Sequence, residues 1–204
     1  MDDDKAIKEF KIIVLGDASV GKSSIINRYI MNCFDTHMAN TIGTAFYAKT
    51  IFIDGQIVKL MIWDTCGEEK FRAISSLYFN DSDSAILVYD LESPDTITGV
   101  SYYLDKLKSD APENIMINVV GNKCDLVDVS QIRVDKIEGL LQDITGFYQI
   151  TSAKSGEGID KLFDKVVKQL IDEDRINKMD VDEFKIESSG IGDLQEKMKE
   201  NCKC

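Results

Sequence analysis

Between a run that reads as a buried strand and a run that reads as an amphipathic helix lies Gly16-Asp17-Ala18-Ser19-Val20-Gly21-Lys22-Ser23, which fits the pattern GxxxxGK[ST]. The strand, Phe10 to Leu15, has Ile12, Ile13, Val14 and Leu15 as its core. The helix, Ser23 to Met31, repeats Ile25, Ile26, Tyr29 and Ile30 at helical spacing. A loop at that junction aims backbone N–H groups at an anion, with the positive end of the helix dipole behind them. Gly16 and Gly21 permit the tight turn and the close approach, Lys22 brings a cation to the β and γ phosphates, and the Ser23 hydroxyl suits Mg²⁺. The octapeptide alone is a common pattern. With a strand before it and a helix after it, it becomes a polyphosphate cradle at the carboxyl end of a sheet.

A chain of 204 residues with 44% hydrophobic residues and only 2 Pro is expected to form one globular domain plus a tail. No run approaches the ~18 consecutive apolar residues of a membrane span. The start, Met1-Asp2-Asp3-Asp4-Lys5, lacks the regions of a signal peptide, so the expectation is a protein made and kept in the cytosol. A net charge of −12 repels nucleic acid and bare anionic lipid at long range and disfavours both as partners. The 5 cysteines (Cys33, Cys66, Cys124, Cys202, Cys204) show no CxxC spacing and fit free thiols rather than a disulfide framework or a zinc site. His37 is the only histidine and reads as a solvated loop residue, which leaves no histidine-based catalytic triad.

Downstream of a polar segment, Asn32 to Asn40, the runs Ala45 to Ile53 and Ile57 to Trp63 flank Asp54-Gly55-Gln56, a hairpin signal. Strands are then expected at Ser84 to Tyr89, Ile115 to Val120 and Phe147 to Ile150. Helices are expected at Asp95 to Leu107, Gln131 to Ile144 and Gly158 to Ile171. This order gives an α/β fold: a six-stranded, mostly parallel sheet with helices on both faces and ligands bound outside the strand carboxyl ends. Three more loops converge there, Asp64-Thr65-Cys66-Gly67-Glu68-Glu69, Gly121-Asn122-Lys123-Cys124-Asp125 and Thr151-Ser152-Ala153-Lys154. From Asp172 the apolar periodicity fails, and residues 173–204 read as a flexible tail behind a domain of residues 1–172.

Asn122-Lys123-Cys124-Asp125 matches NKxD, and here the chain resembles GTP-binding members of the P-loop class. A carboxylate at Asp125 accepts from the imino N–H and the exocyclic amine of guanine, a donor pair that adenine lacks, which argues against an ATP-using enzyme. Over residues ~8 to 172 the chain is similar to the Ras superfamily and, within it, the Rab family. The runs that carry this are Ile42-Gly43-Thr44-Ala45-Phe46, Lys59-Leu60-Met61-Ile62-Trp63, Phe71-Arg72-Ala73-Ile74 and Leu87-Val88-Tyr89-Asp90. The resemblance implies a P-loop G domain that binds GTP or GDP with Mg²⁺. The phosphate contacts would be Ala18, Ser19, Val20, Gly21, Lys22, Ser23 and Ser24, with Gly67 as a backbone donor to the γ-phosphate.

It further implies that Phe34 lies edge-on to the base, Lys123 packs along its plane, Asn122 braces the P-loop, and the Ala153 N–H meets the guanine carbonyl between Ser152 and Lys154. The metal set would be Ser23, Thr41 and, through water, Asp64. Phe46, Trp63 and Tyr78 would form an aromatic effector face, of which Trp63 is the member most expected to be partly exposed. Partners implied are effectors, exchange factors, GTPase-activating proteins and prenyl-binding chaperones, with the chain itself a monomer. The implied output is vesicle-mediated transport, through two loops held by Thr41 and Gly67 on the γ-phosphate and released on hydrolysis.

Glu68 departs from the family's Gln. A Gln amide donates to one partner and accepts from another, so it can align an attacking water, whereas a carboxylate only accepts. At roughly 6 Å and an effective dielectric of ~20 the added charge opposes a phosphate charge by ~3 kcal/mol, about two decades in rate. A carboxylate can also act as a base for that water, so the sign stays open. With Lys22 and Glu68 as the catalytic candidates, the readings are a switch with slow or altered hydrolysis or a scaffold held in the GTP form. Ala18 and Cys66, where relatives carry Gly or Ser and Ala, also change the surroundings of the γ-phosphate. The terminal Asn201-Cys202-Lys203-Cys204 is not a CaaX box; it resembles the Rab CxC end, which implies two prenyl groups on Cys202 and Cys204. The expected place is the cytoplasmic face of an endomembrane, with a soluble cytosolic pool.

Overall fold

A computed structural model describes residues 7–39, 41–68, 76–128 and 135–174. The Phe71 to Ile74 run, the start of the helix expected from Gln131, and the tail with Cys202 and Cys204 lie outside the described residues. The strands are β1 (Lys8–Leu15), β2 (Thr44–Ile53), β3 (Gln56–Thr65), β4 (Ser84–Asp90), β5 (Met116–Asn122) and β6 (Tyr148–Ile150). The helices are α1 (Lys22–Met31), α2 (Ile97–Asp110), α3 (Asp135–Leu141) and α4, residues 159–174. The sheet runs β2-β3-β1-β4-β5-β6; only the β2–β3 pair is antiparallel.

The β2–β3 hairpin turns at Asp54 and Gly55, with φ of 48° and 79°. Two successive positive φ values are what a two-residue type I′ loop requires, and they pair Ile53 with Gln56. Strands β4 and β5 are buried at every position, as parallel strands covered on both faces must be. On one face Ile13, Leu15, Leu87 and Val119 pack with Val100, Tyr103, Leu104 and Leu107 of α2. The alternate residues Ile12, Val14, Ile86 and Val88 are equally buried and by strand alternation point to the opposite face. The α1 ring of Tyr29 stacks on Phe163 of α4 with centroids 3.8 Å apart.

Two boundaries shift the site. Asp64 and Thr65 end β3, and Gly121 and Asn122 end β5, rather than starting the following loops. Ladder hydrogen bonds therefore hold their backbones. The Thr65 hydroxyl also donates to the Val14 carbonyl at 2.7 Å, tying the end of β3 to β1. Among the described residues, those up to Val167 form one compact unit, and residues 168–174, which are helical, belong to a second. The helix thus runs two residues past Asp172, where apolar periodicity in the sequence ends.

Candidate functional site

A cleft of ≈ 400 Å³ opens at the carboxyl ends of β1, β3 and β5 and at the segment after β6. Its phosphate end is built by the P-loop. Gly16 (φ 145°) passes so close to the Val88 carbonyl that a Cβ would collide with it. Gly21 (φ 96°) caps α1 without a side-chain acceptor and no acid occupies the first turn, so the first N–H groups of the helix are left for an anion. The Lys22 ammonium donates to the carbonyls of Gly16 at 2.9 Å and Asp17 at 2.7 Å. Burial pulls it down to about 8, opposed by the Asp64 charge. A polyphosphate bound beside it would add counter-charge to that of Asp64 and offset the cost of burying the cation.

Next to Lys22 three oxygen-bearing side chains meet. Ser23 Oγ donates to Asp64 Oδ2 at 2.5 Å and lies 2.6 Å from Thr41 Oγ1, and Thr41 Oγ1 reaches the same carboxylate oxygen at 3.4 Å. Asp64 is 1% exposed, and its Oδ1 has no hydrogen-bond partner. Burial raises its carboxyl, opposed by the Ser23 hydroxyl, the Lys22 charge and the Thr41 hydroxyl. An orphaned, buried carboxylate oxygen beside two hydroxyls fits a hard divalent cation. Among the described residues no three His, Cys, Asp or Glu side chains gather to hold a metal, so such an ion would share its coordination with phosphate and water, as Mg²⁺ does.

Gly67 sits against Lys22 so tightly that a Cβ would strike the Asp17 carbonyl and Lys22 Nζ. Cys66 is buried, its N–H donating to the Gly43 carbonyl at 2.9 Å, and Glu68 lines the cleft half-buried.

At the opposite end Asn122 is 1% exposed and joins three segments. Its amide donates to the Val20 carbonyl at 2.9 Å, while its Oδ1 accepts from Thr151 Oγ1 and the Ala153 N–H, both at 3.2 Å. The Ala153 N–H assigned to a base carbonyl therefore already has a long bond to Asn122, with which an incoming carbonyl would share it. Ser152 Oγ donates to Asp125 Oδ1 at 2.6 Å and Lys154 Nζ lies 3.8 Å from Asp125 Oδ2, so the carboxylate is fixed in place. Phe34 is half-buried and lines the same end. Lys123 has φ of 66°, rare for a residue with a Cβ, and its ammonium pairs with Asp90 Oδ2 at 2.7 Å. The sequence reading names Asp90 only within a family run and gives it no part in the site. The one signal for such a part is a carboxylate at the last position of a buried, mostly apolar parallel strand.

Comparison with known proteins places this geometry. The family model described as "Ras family" matches residues 11–172. The chain belongs to the Ras family. Human Ras-related proteins Rab-22A and Rab-31 are each 36% identical over 165 residues, covering 81% of this chain and 85% of theirs. RABA5b of Arabidopsis thaliana is 35% identical over 180 residues, covering 88% of this chain and 83% of its own. The Rab relatives and the Ras-family match together make the chain a Rab-type small GTPase, with the six-stranded α/β sheet of that fold.

The three aromatic residues form a row outside the cleft. Phe46 and Trp63 lie 5.2 Å apart by centroid, and Trp63 and Tyr78 lie 5.4 Å apart. Trp63 is partly exposed, as expected, and so is Tyr78, both packed against the core, while Phe46 is the more exposed member at 51%. The cause is topological. Phe46 lies on the edge strand β2, whereas Trp63 on β3 has neighbours on both sides. Ile42 at 90% and Leu77 at 70% exposure are further bare apolar residues near these positions in sequence. No helix among the described residues is long and apolar enough to cross a membrane.

Proposed function

We propose that the protein is a guanine-nucleotide switch in vesicle trafficking, alternating between GTP and GDP forms with Mg²⁺ and carrying its signal on the Thr41 and Gly67 segments. The observation that carries this reading is the single cleft with an anion cradle and an oxygen cluster at one end and a braced acceptor carboxylate, Asp125, at the other. In this reading Lys22 and the P-loop N–H groups bind the phosphates, and Ser23 and Thr41 ligate the cation while Asp64 orients its water. When bound, Mg²⁺ supplies charge neutralisation at the phosphate oxygens. Asp125 and the Ala153 N–H select guanine, Lys123 and Phe34 flank the base, and Ser19, Ser24 and Ser152 complete the lining. Effectors read Phe46, Trp63 and Tyr78, with exchange factors, activating proteins and a prenyl-binding chaperone acting on the same monomer.

Glu68 occupies the position from which an attacking water is aligned. Its carboxylate adds negative charge beside the γ-phosphate, and we read it as making intrinsic hydrolysis slow. In single-turnover assays Glu68→Gln is expected to hydrolyse GTP faster, by up to about 100-fold. Equal rates would clear Glu68 of that role. The rival reading, a scaffold held in the GTP form, predicts mostly GTP on protein extracted from its own cell, whereas the switch predicts mostly GDP. If the purified protein with Mg²⁺ takes up adenine nucleotides as readily as guanine ones, the proposal fails altogether.

Residues 1–172 serve as the switch domain and 173–204 as a tether. The acidic tail has no basic patch to assist a single lipid, so stable attachment to an endomembrane calls for both Cys202 and Cys204 to be prenylated, leaving a chaperone-bound cytosolic pool. The Cys202→Ser, Cys204→Ser double variant is expected to move entirely to the soluble fraction. Continued sedimentation with membranes would disprove the anchor.

A further inference from the structure

Behind the base end of the cleft, and not part of its lining, stands Arg28 in the last turn of α1. Its guanidinium donates to backbone on two separate segments. Nε donates to the Ala153 carbonyl at 2.8 Å and Nη2 to the Lys154 carbonyl at 2.6 Å. Nη1 donates to the Asn32 carbonyl at 3.1 Å and to Asn32 Oδ1 at 3.3 Å. Asn32 is the left-handed C-cap of α1, with φ of 50°, and two residues later the chain reaches Phe34 in the cleft wall. One planar group thus spans the exit of α1 and the segment that carries the Ala153 N–H.

We propose that Arg28 is a positioning residue for guanine recognition: it fixes the Ala153 N–H relative to Phe34, so that the carbonyl and the ring of the base meet their partners together. This rests on the reading of Ala153 and Phe34 as base contacts. Only arginine suits the position, because a fork of five donors can satisfy divergent carbonyls that a single ammonium cannot span. Other bonds preserve the internal shape of the 151–157 segment and hold its start at Cys124. Ser152 N–H donates to the Glu157 carbonyl at 2.9 Å, Gly156 N–H to the Ser152 carbonyl at 2.8 Å, and Cys124 N–H to the Thr151 carbonyl at 3.1 Å. Loss of Arg28 therefore loosens the Ala153–Lys154 end of this loop, leaving only the long Asn122 bond on the Ala153 N–H, without removing its fold.

The test uses the full chain and two probes, GDP and the diphosphate of 2,6-diaminopurine riboside, which carries an amine where guanine has its carbonyl and a bare N1 where guanine has the imino N–H, so its release is compared only between wild type and variant. Arg28→Ala is expected to release GDP on the order of ten- to a hundred-fold faster, with the analogue changed less than about 3-fold. Arg28→Lys should lose most of the same preference. Single-turnover hydrolysis at saturating GTP should stay within about 3-fold of wild type. Equal acceleration for both nucleotides, or none in either variant, overturns the proposal; if Arg28→Ala does not fold, Arg28→Lys decides. If wild type does not prefer GDP to ADP, the base-contact reading falls and takes this one with it. If wild type prefers GDP and the variants match it, only this one falls.

Discussion

Asp125→Asn is expected to weaken GDP binding by at least about 1,000-fold and to give the protein a preference for xanthine nucleotides. The Asp125 carboxylate accepts from Ser152 Oγ at 2.6 Å, with the Lys154 ammonium 3.8 Å away, so one of its oxygens is already oriented and the other is left to meet the base. An amide there turns one acceptor into a donor, which faces the guanine amine donor to donor. Xanthine carries an oxygen at that carbon and restores the match. A buried group left unpaired against the wrong base is what gives sites of this kind discrimination of about 10⁴, well beyond what a missing methylene provides. Competition of guanine and xanthine diphosphates for the variant measures it. Retention of tight GDP binding would mean that the base is not read by Asp125.

Gly67→Ala should separate the two nucleotide forms. GDP affinity is expected to stay within about 3-fold of wild type, while the extra stabilisation by the third phosphate falls by roughly ten- to a hundred-fold and effector capture is lost. The reason is space rather than backbone freedom: an added Cβ would collide with the Asp17 carbonyl, which cannot yield without moving the P-loop, and with Lys22 Nζ. The segment would have to back away, taking its N–H out of reach of the phosphate. Gly139→Ala is the control. Gly139 lies on α3 with nothing within 4 Å of an added methyl, so this change should leave nucleotide binding unaltered and favour the helix by about 0.5–1 kcal/mol. Normal effector capture by Gly67→Ala would exclude Gly67 as a tether.

Much of this site can be read from sequence because its chemistry sits in short local patterns. The P-loop and Ser152 to Lys154 follow strands, Asp64 to Gly67 and Asn122 to Asp125 begin on the last residues of theirs, each close to the end of an apolar run, and β-strand carboxyl ends in a parallel sheet converge. The same apolar runs set the strand count. Two kinds of feature stay hidden. Arg28 acts on backbone carbonyls 125 and 126 residues away, and a carbonyl has no sequence signature. Asp90 pairs with Lys123 across 33 residues, and only the ladder between β4 and β5, which sets Asp90 beside Asn122, reveals it. The greater exposure of Phe46 than of Trp63 escapes the sequence for a related reason. Residue size and hydrophobicity are local, but the edge or interior rank of a strand belongs to the whole sheet.

Asn122 carries a consequence for how the ligand leaves. Its one amide group is bonded to the P-loop at Val20 and to Thr151 and Ala153, so a tug on the pyrophosphate side is transmitted through a rigid strut to the purine side. Displacing either side is then expected to disturb the other through Asn122 rather than to act alone. A catalyst of release that deforms either side alone should loosen the whole molecule, and it has no need to reach the other.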